Sequence, residues 1–356
     1  INGDVLIAKD GSYLKHCFEF RGEEKVAILS SIAIFRPNTD VISGKFLEYL
    51  FRTPSIKGLA KGYVSGVAVP RIVLKDFKTI ELPIPPLQTQ KRIADILSAY
   101  DDLIENNLKR IKLLEQAAQN IYKEWFVNLR FPGHENSPIN QKTGLPEGWK
   151  EVRMEYFYSK YIGGGWGKEN LQKGYNNKAH VIRGTDFNKI KSGSFDSTPL
   201  RFHKESNLSS RKLENGDLIL EVSNGNLSKV GDILLITDDV LKVLDSDIIC
   251  ASFCKMLRPK TLDKSLFIYH YIIEMNTSNM MLQYKNESAA GINNFNFTSF
   301  LSKEIVELPS QQLLSGFYNI VNPIHEQISN LRQQIQKLKA ARDILLPRLM
   351  NRTIEV

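Results

Sequence analysis

Residues 93–125 of this chain read IADILSAYDDLIENNLKRIKLLEQAAQNIYKEW. Alternating steps of four and three residues from Ile93 to Trp125 meet an apolar or aromatic side chain almost every time, and the polar break is Asn107. Such heptad spacing is typical of a helix that buries one seam against a second helix. The segment therefore predicts a helix of about 50–60 Å, at 1.5 Å per residue. Asn107 would either set the register or mark a point of fraying.

A second stretch, residues 317–349, repeats this pattern and reads FYNIVNPIHEQISNLRQQIQKLKAARDILLPRL. Its apolar positions follow those of the first stretch at a constant offset of 224 residues, with a polar break at Arg342. Two unrelated amphipathic helices are one interpretation, but one repeated unit explains the shared phase better. The predicted coiled-coil seam consists of Ile93, Leu97, Ile104, Ile111, Leu114, Ile328, Leu331, Ile335, Leu338 and Leu345.

The repeat extends upstream of both helices. A turn and strand, NGDVLIA from Asn2, correspond to NGDLILE from Asn215, and in both copies a later strand ends at Arg-Pro. A short amphipathic helix, a Gly-containing loop and a Leu-Pro junction then precede the long helix. The second copy has about 70 further residues before its Asn-Gly-Asp, starting at GLPEGWKEV, whereas the first has one. We therefore expect the first domain to lack its N-terminal part, through truncation or because another chain supplies it.

Composition limits the classes of protein that this chain can belong to. Hydrophobic residues make up 42% and charged residues 24%, which is typical of a globular protein. No apolar run approaches the roughly 18 residues that span a bilayer, and no signal peptide opens the sequence. The three cysteines, Cys17, Cys250 and Cys254, suit a reducing cytoplasm better than a disulfide scaffold. We therefore expect a cytoplasmic protein.

The net charge of +8 is concentrated in one part of the sequence. Residues 160–212 contain 11 Lys and Arg against 4 Asp and Glu, so this window carries +7 of the total. It is either a solvated basic face or a surface that follows the phosphates of a nucleic acid.

Catalytic motifs are not found. The sequence has no G-x-x-x-x-G-K-[ST] phosphate loop, no G-x-S-x-G elbow and no H-E-x-x-H pair. The glycines of YIGGGWGKEN, residues 161–170, lack the frame of a cofactor loop. Cys250 and Cys254 have no second cysteine pair and lie in a strand-like run, so we expect buried thiols and no metal site.

Polar loops offer binding chemistry instead. They are rich in Asn, Ser and Lys, and amides can address adenine while cations address guanine or phosphate. Each loop alone could be an ordinary surface turn, but their recurrence on a repeated basic scaffold favours the reading of bases. The candidate DNA-binding residues are Lys9, Asp10, Ser12, Tyr13, Arg71, Trp166, Lys168, Arg183, Asp186, Ser223, Asn224, Asn226, Lys229, Asn293 and Asn294.

These segments resemble the specificity subunits of Type I restriction–modification systems. The resemblance is carried by PIPPLQTQKRIADILSAYDDLIENN from Pro83, by GLPEGWKEV from Gly144 and by NGDLILEVSNG from Asn215. It implies an α+β fold with two α/β target recognition domains, joined by two long conserved helices that form an antiparallel coiled coil. The implied divisions are residues 1–87 (C-terminal part of the first recognition domain), 88–130 (central helix), 131–144 (linker), 145–312 (second recognition domain) and 313–350 (distal helix).

The resemblance also implies a function without catalysis. Such a subunit reads a bipartite target in double-stranded DNA, with the coiled coil as spacer. Two modification (methyltransferase) subunits dock on it, and restriction subunits with translocase activity join them. S-adenosylmethionine, ATP and Mg would then belong to those partners, and this chain would bind no cofactor or metal and no membrane. An adaptor or inhibitory scaffold that holds the modification subunits without reading a sequence is the alternative. An enzyme in its own right is a third hypothesis, which the absent motifs disfavour.

Overall fold

The computed structural model describes residues 1–11, 16–66, 69–244, 246–289 and 291–356. The chain forms two compact units. Unit 1 comprises Ile1–Asn106 and Lys337–Val356, and unit 2 comprises Asn107–Gln336. Each unit combines helices with strands, which confirms the predicted α+β class.

Unit 1 is built on a small antiparallel sheet in which the central strand β1 (Val5–Ala8) pairs with β2 (Cys17–Glu19) and β3 (Ile32–Phe35). Phe46, Tyr49 and Phe51 of the first helix are fully buried beneath it. The second helix begins with proline after Thr53, whose hydroxyl accepts a hydrogen bond from the Ile56 amide and so caps the helix. The strands are β1 (Val5–Ala8), β2 (Cys17–Glu19), β3 (Ile32–Phe35), β4 (Val64–Ser65) and β5 (Arg71–Ile72), and the helices are α1 (Gly44–Arg52), α2 (Pro54–Lys61) and α3 (Leu74–Phe77).

The first long helix, α4, spans Leu87–Tyr122 and continues into a π-helical turn over Lys123–Val127. Unit 2 follows with many short elements. Its strands are β6 (Lys150–Arg153), β7 (Tyr158–Gly163), β8 (Asn177–Ile182), β9 (Leu200–His203), β10 (Leu218–Glu221), β11 (Ser223–Asn224), β12 (Ile233–Leu235), β13 (Asp247–Cys250), β14 (Cys254–Pro259), β15 (Lys285–Asn286), β16 (Asn293–Phe295) and β17 (Ile305–Leu308). Its helices are α5 (Phe187–Lys191), α6 (Glu205–Arg211), α7 (Asp238–Val243), α8 (Leu262–Thr277) and α9 (Phe297–Lys303), before the second long helix α10 (Gln311–Met350).

The centre of unit 2 is a four-stranded antiparallel sheet with the order β12-β10-β14-β7. Successive side chains of β10 point to opposite faces. Leu218 and Leu220 join one hydrophobic core, and Ile219 joins another. Because both faces are covered, the strand reads as a continuous apolar run. Around this sheet lie the sheets β13-β8-β9, β11-β16-β15 and β17-β6.

The two long helices run antiparallel within each unit, as predicted. In unit 1 the hydrophobic core contains Ile93 and Leu97 together with Leu349. In unit 2 it contains Trp125 together with Phe317, whose ring centroids are 6.1 Å apart. Of the predicted seam residues, Leu114, Leu338 and Leu345 are half-buried and the others are buried.

The polar breaks in the seam both have partners. Asn107 Nδ2 donates to Gln334 Oε1 at 3.2 Å within unit 2. Arg342 donates to Asp101 at 2.6 Å within unit 1, and Asp101 also accepts a hydrogen bond from Tyr49. Asn107 therefore belongs to an ordered contact, which favours the register interpretation over fraying.

Candidate nucleic-acid interface

A cleft of about 510 Å³ opens at the carboxyl ends of β8, β10 and β13 in unit 2. β8 and β13 are parallel neighbours, so the loops that follow them emerge at the same edge. The cleft is lined by Trp166, Arg183, Gly184, Thr185, Glu221, Ser223, Asn224, Gly225, Ala251, Ser252, Phe253 and Ile292. The structure thus brings together four residues that the sequence singled out, from three separate loops: Trp166, Arg183, Ser223 and Asn224.

Arg183 is held in place by a buried carboxylate. Its guanidinium donates to both oxygens of Asp186 at 2.9 Å and to the Ser197 carbonyl at 2.7 Å. Burial alone would raise the pKa of Asp186, but the hydrogen bonds from Arg183 and Ser197 outweigh it and lower the pKa. Asp186 was predicted as a DNA contact. In the structure it is buried, and its carboxylate orients the Arg183 guanidinium.

The predicted asparagines largely hold their own loop together. Asn224 donates to Glu221 Oε1 at 2.7 Å and accepts from the Asn226 amide at 2.8 Å. Asn226 in turn accepts from the Ser228 amide at 2.9 Å, as asparagine often does in turns. The side-chain oxygens of both residues are thus engaged within the chain.

The facing loop is fastened in the same way. Asn293 accepts from the Ser288 amide at 3.0 Å and donates to the Gly225 carbonyl at 3.1 Å. Asn294 accepts from Ser223 Oγ at 2.7 Å. Asn293 is buried whereas Asn294 is exposed, so of this pair only Asn294 faces solvent.

Beside the cleft lies a group of cations stacked on aromatic rings, which we call the cationic face. The Arg201 guanidinium lies 4.7 Å from the ring centre of Trp166, and Lys168 and Lys204 lie 5.8 and 5.3 Å from that of Tyr175. Such contacts hold Lys168 and Lys204 in place without neutralising them, whereas Arg201 also forms an ion pair of 2.7 Å with Glu169. The cationic face consists of Trp166, Lys168, Tyr175, Lys178, Phe202, Arg201 and Lys204.

Sequence reasoning found Trp166 and Lys168 in this face but missed the others. The signal was present in the basic window of residues 160–212, which contains the whole cationic face. Which cations of that window meet aromatic rings depends on the pairing of β8 with β9, and this was not readable from the sequence. Lys229, also predicted, lies outside this group and pairs with Asp232 at 3.1 Å.

In unit 1 the corresponding candidates are close together. Lys9 Nζ lies 3.1 Å from Asp10 Oδ1, and the backbone of Asp10 bridges to that of Arg71. Ser12 and Tyr13, which were predicted with them, lie outside the described residues.

Glu221 was not singled out in the sequence, yet it is the most unusual group of the cleft. Its side chain ends β10 and is only 3% exposed. Burial raises the pKa of its carboxyl, and the hydrogen bond from Asn224 partly opposes that shift. The residue was missed because its sequence position, in an apolar strand, gives no sign that the carboxylate borders a cleft.

The glycine-rich stretch has a packing role. A Cβ on Gly164 would lie 2.1 Å from the Ala251 carbonyl oxygen and 2.3 Å from that of Cys250. The backbone of this loop therefore lies directly against the end of β13, with the Gly165 amide donating to the Cys250 carbonyl at 2.9 Å. Glycine is needed here for close approach between backbones.

The two cysteines of CASFC are buried free thiols, as predicted. Burial raises the pKa of Cys250 to about 12, which keeps its thiol protonated and unreactive. Within the described ranges, no group of three or more His, Cys, Asp or Glu side chains is arranged to hold a metal ion.

Fold and surface together define an α+β protein with paired long helices and a basic, aromatic interface. Residues 2–116 match the family model described as Type I restriction modification DNA specificity domain. The MjaIX specificity subunit of the Type I restriction enzymes of Methanocaldococcus jannaschii is 26% identical over 322 residues, covering 88% of this chain and 69% of that protein. The MjaVIII specificity subunit of the same organism is 31% identical over 153 residues, covering 43% of this chain and 34% of that protein.

A solved structure has the same fold. The crystal structure of the Type I restriction–modification S subunit from M. genitalium matches with a TM-score of 0.53 at 15% identity, covering 98% of this chain and 83% of that one. These comparisons confirm the resemblance drawn from the sequence: the chain is similar to specificity subunits of Type I restriction–modification systems. None of the helices in the described residues is long and apolar enough to cross a membrane.

Proposed function

We propose that this chain is the DNA-recognition subunit of a Type I restriction–modification complex and has no catalytic activity of its own. The observation that carries the proposal is the cleft of unit 2, bordered by the cationic face. The cations suit phosphates, which supply most of the affinity of DNA-binding proteins, and the cleft suits base edges, which supply the specificity.

The remaining chemistry of such a complex would reside in partners. Two modification subunits would bind S-adenosylmethionine and methylate the DNA that this chain selects. Restriction subunits would supply ATP-driven translocation with Mg. In support, the sequence contains no phosphate loop.

The recognised sequence would be bipartite if both units read DNA. Unit 1 offers Lys9, Asp10 and Arg71, and unit 2 offers the cleft and the cationic face. The paired helices α4 and α10 would act as the spacer between the two half-sites. Two assembled chains that each read only with unit 2 would instead recognise a symmetric site.

The test is co-expression with the cognate modification subunit, followed by mapping of methylated adenines across the host DNA. An asymmetric bipartite motif is expected if both units read DNA, and a palindromic motif if only unit 2 does. If the complex assembles but no sequence is preferentially methylated, the proposal is wrong. The chain would then be an adaptor that holds the modification subunits without reading a sequence.

A further inference from the structure

One oxygen of the Glu221 carboxylate has no partner within the chain. Oε1 accepts a hydrogen bond from Asn224 at 2.7 Å. Oε2 is buried and has no hydrogen-bond partner among the described residues. A buried acceptor without a donor destabilises the fold, and more so if it is charged. A ligand that brings an N–H group to this atom would offset that destabilisation.

The backbone of Gly184 packs closely against the Glu221 carboxylate. A Cβ on Gly184 would lie 1.9 Å from Glu221 Oε1 and 2.2 Å from Oε2. Glycine at this position therefore allows the carboxylate to occupy the edge of the cleft. Any side chain on residue 184 would have to displace it.

The other walls of the cleft are apolar and unusually exposed. The exposed fractions are 40% for Trp166, 58% for Phe253 and 50% for Ile292. Large apolar side chains that are exposed together around a concave site often mark a ligand-binding surface, whereas single exposed apolar side chains do not. Around a base edge that reaches into the cleft, such walls exclude water and so strengthen a hydrogen bond to the carboxylate.

We propose that this cleft binds the exocyclic amino group of a cytosine or adenine base, with Glu221 Oε2 as the acceptor. The inference rests on the proposed function and names a specificity-determining residue within it. A carboxylate accepts well from the N4 amino group of cytosine, and the N6 amino group of adenine offers the same donor. A guanine O6 or thymine O4 edge would bring a second acceptor against the carboxylate and would be rejected.

Two other ligand types fit the cleft less well. A metal ion would need several hard oxygen or nitrogen donors, and the lining contains a single carboxylate beside a guanidinium. The Glu221 carboxylate would repel a phosphate from the cleft, whereas the cationic face beside it would attract one.

The experiment uses the complex with its modification subunits and the motif found by methylation mapping. Each cytosine or adenine of the motif is replaced in turn by the analogue that lacks only the exocyclic amino group, and the dissociation constant is measured. At one position the loss of the amino group should weaken binding by about 10- to 100-fold, the range for one hydrogen bond to a charged group. In Glu221→Ala the same replacement should have no further effect, because the acceptor is already gone.

Two variants control for damage to the fold. Glu147→Gln removes an equal charge at an exposed glutamate outside the cleft lining, and the wild-type response to the analogue should remain. Glu221→Gln keeps the shape of the side chain and should change the base preferred at that one position while the rest of the motif stays. An unchanged motif in Glu221→Gln, or an equal loss at every position, would overturn the inference. If wild-type protein selects no motif at all, the proposed function fails first, and the two failures are distinguishable.

The same amino group could also come from a free nucleotide. Deoxycytidine and deoxyadenosine monophosphates are therefore titrated against the complex without DNA, with tryptophan fluorescence as the readout. Saturable binding that Glu221→Ala abolishes, together with an unchanged DNA motif in Glu221→Gln, would assign the cleft to free nucleotides and overturn the specificity role. No saturation by either nucleotide, with the position-specific DNA effect present, is the expected result.

Discussion

The Arg258 guanidinium donates two hydrogen bonds to the Asp217 carboxylate, of 2.9 Å from Nε and 2.8 Å from Nη2. In unit 1 Arg36 and Asp4 form the same bidentate pair, at 2.9 Å for both bonds. Each aspartate belongs to an Asn-Gly-Asp turn, and each arginine to an Arg-Pro strand end. The pair ties the start of the first strand to the end of its neighbour. This explains why both sequence motifs occur in both copies of the repeat.

Breaking this pair should destabilise unit 2. Asp217 is almost completely buried, so Arg258→Met would leave its carboxylate without its main partner. Removing one member of a buried ion pair costs about 3–5 kcal/mol. We expect a loss near the lower end of that range, because Arg258 is partly exposed. Urea unfolding followed by Trp fluorescence measures it, and Arg153→Met, at an exposed arginine of the same unit, should change stability by no more than about 0.5 kcal/mol. Equal effects of the two substitutions would contradict the role assigned to the pair.

The pair in unit 1 should make that unit sensitive to acid. Hydrogen bonds from Arg36 lower the pKa of Asp4 to about 2. A carboxyl whose folded pKa lies below its unfolded value of about 3.9 stabilises the fold above that value and stops doing so as the pH falls through the folded pKa. Protection of the Val5 amide from hydrogen exchange should therefore fall between about pH 4 and pH 2. In Asp4→Asn the fall over this window should be smaller, and an unchanged slope would show that Asp4 is not responsible.

Close backbone packing predicts a sharp difference between two adjacent glycines. Gly164→Ala would place a Cβ about 2.1 Å from a carbonyl oxygen, whereas a Cβ on Gly163 meets nothing within 4 Å. We expect Gly164→Ala to cost about 1–3 kcal/mol or more, since the backbone must move to make room. Gly163→Ala should be close to neutral. Thermal unfolding of the two variants tests this, and similar melting temperatures would argue against tight packing of the loop on β13.

The sequence predicted the helices and the repeat because both depend on local, periodic information. Heptads are visible over many turns, and the Asn-Gly-Asp turn and Arg-Pro strand end recur in order. Even so, the pattern did not reveal that Asn107 pairs with Gln334, since partner choice requires the antiparallel alignment.

The candidate site was predicted less well because its residues come from distant parts of the chain. The asparagine-rich loops predicted DNA binding, but the side chains of Asn224, Asn226 and Asn293 form hydrogen bonds within the chain. Composition cannot distinguish an amide that reads a base from one that shapes a turn. Glu221 was missed for a different reason. Its carboxylate oxygen Oε2 is buried without a hydrogen-bond donor among the described residues, and the sequence does not show which donors surround a side chain.

The cationic face should govern affinity and not specificity. Lys168 and Lys204 both lie over the Tyr175 ring, and no carboxylate is within ion-pair distance of either in the described residues. If each contacts a phosphate, alanine at either position should weaken binding to every sequence alike and lower the slope of log K against log salt by about 1. Titrations of the complex with specific and non-specific duplexes at several salt concentrations measure both quantities. Lys142→Ala, at an exposed lysine outside this face, is the matched control and should leave the slope unchanged. A loss confined to the specific duplex would instead mean that these lysines contact bases.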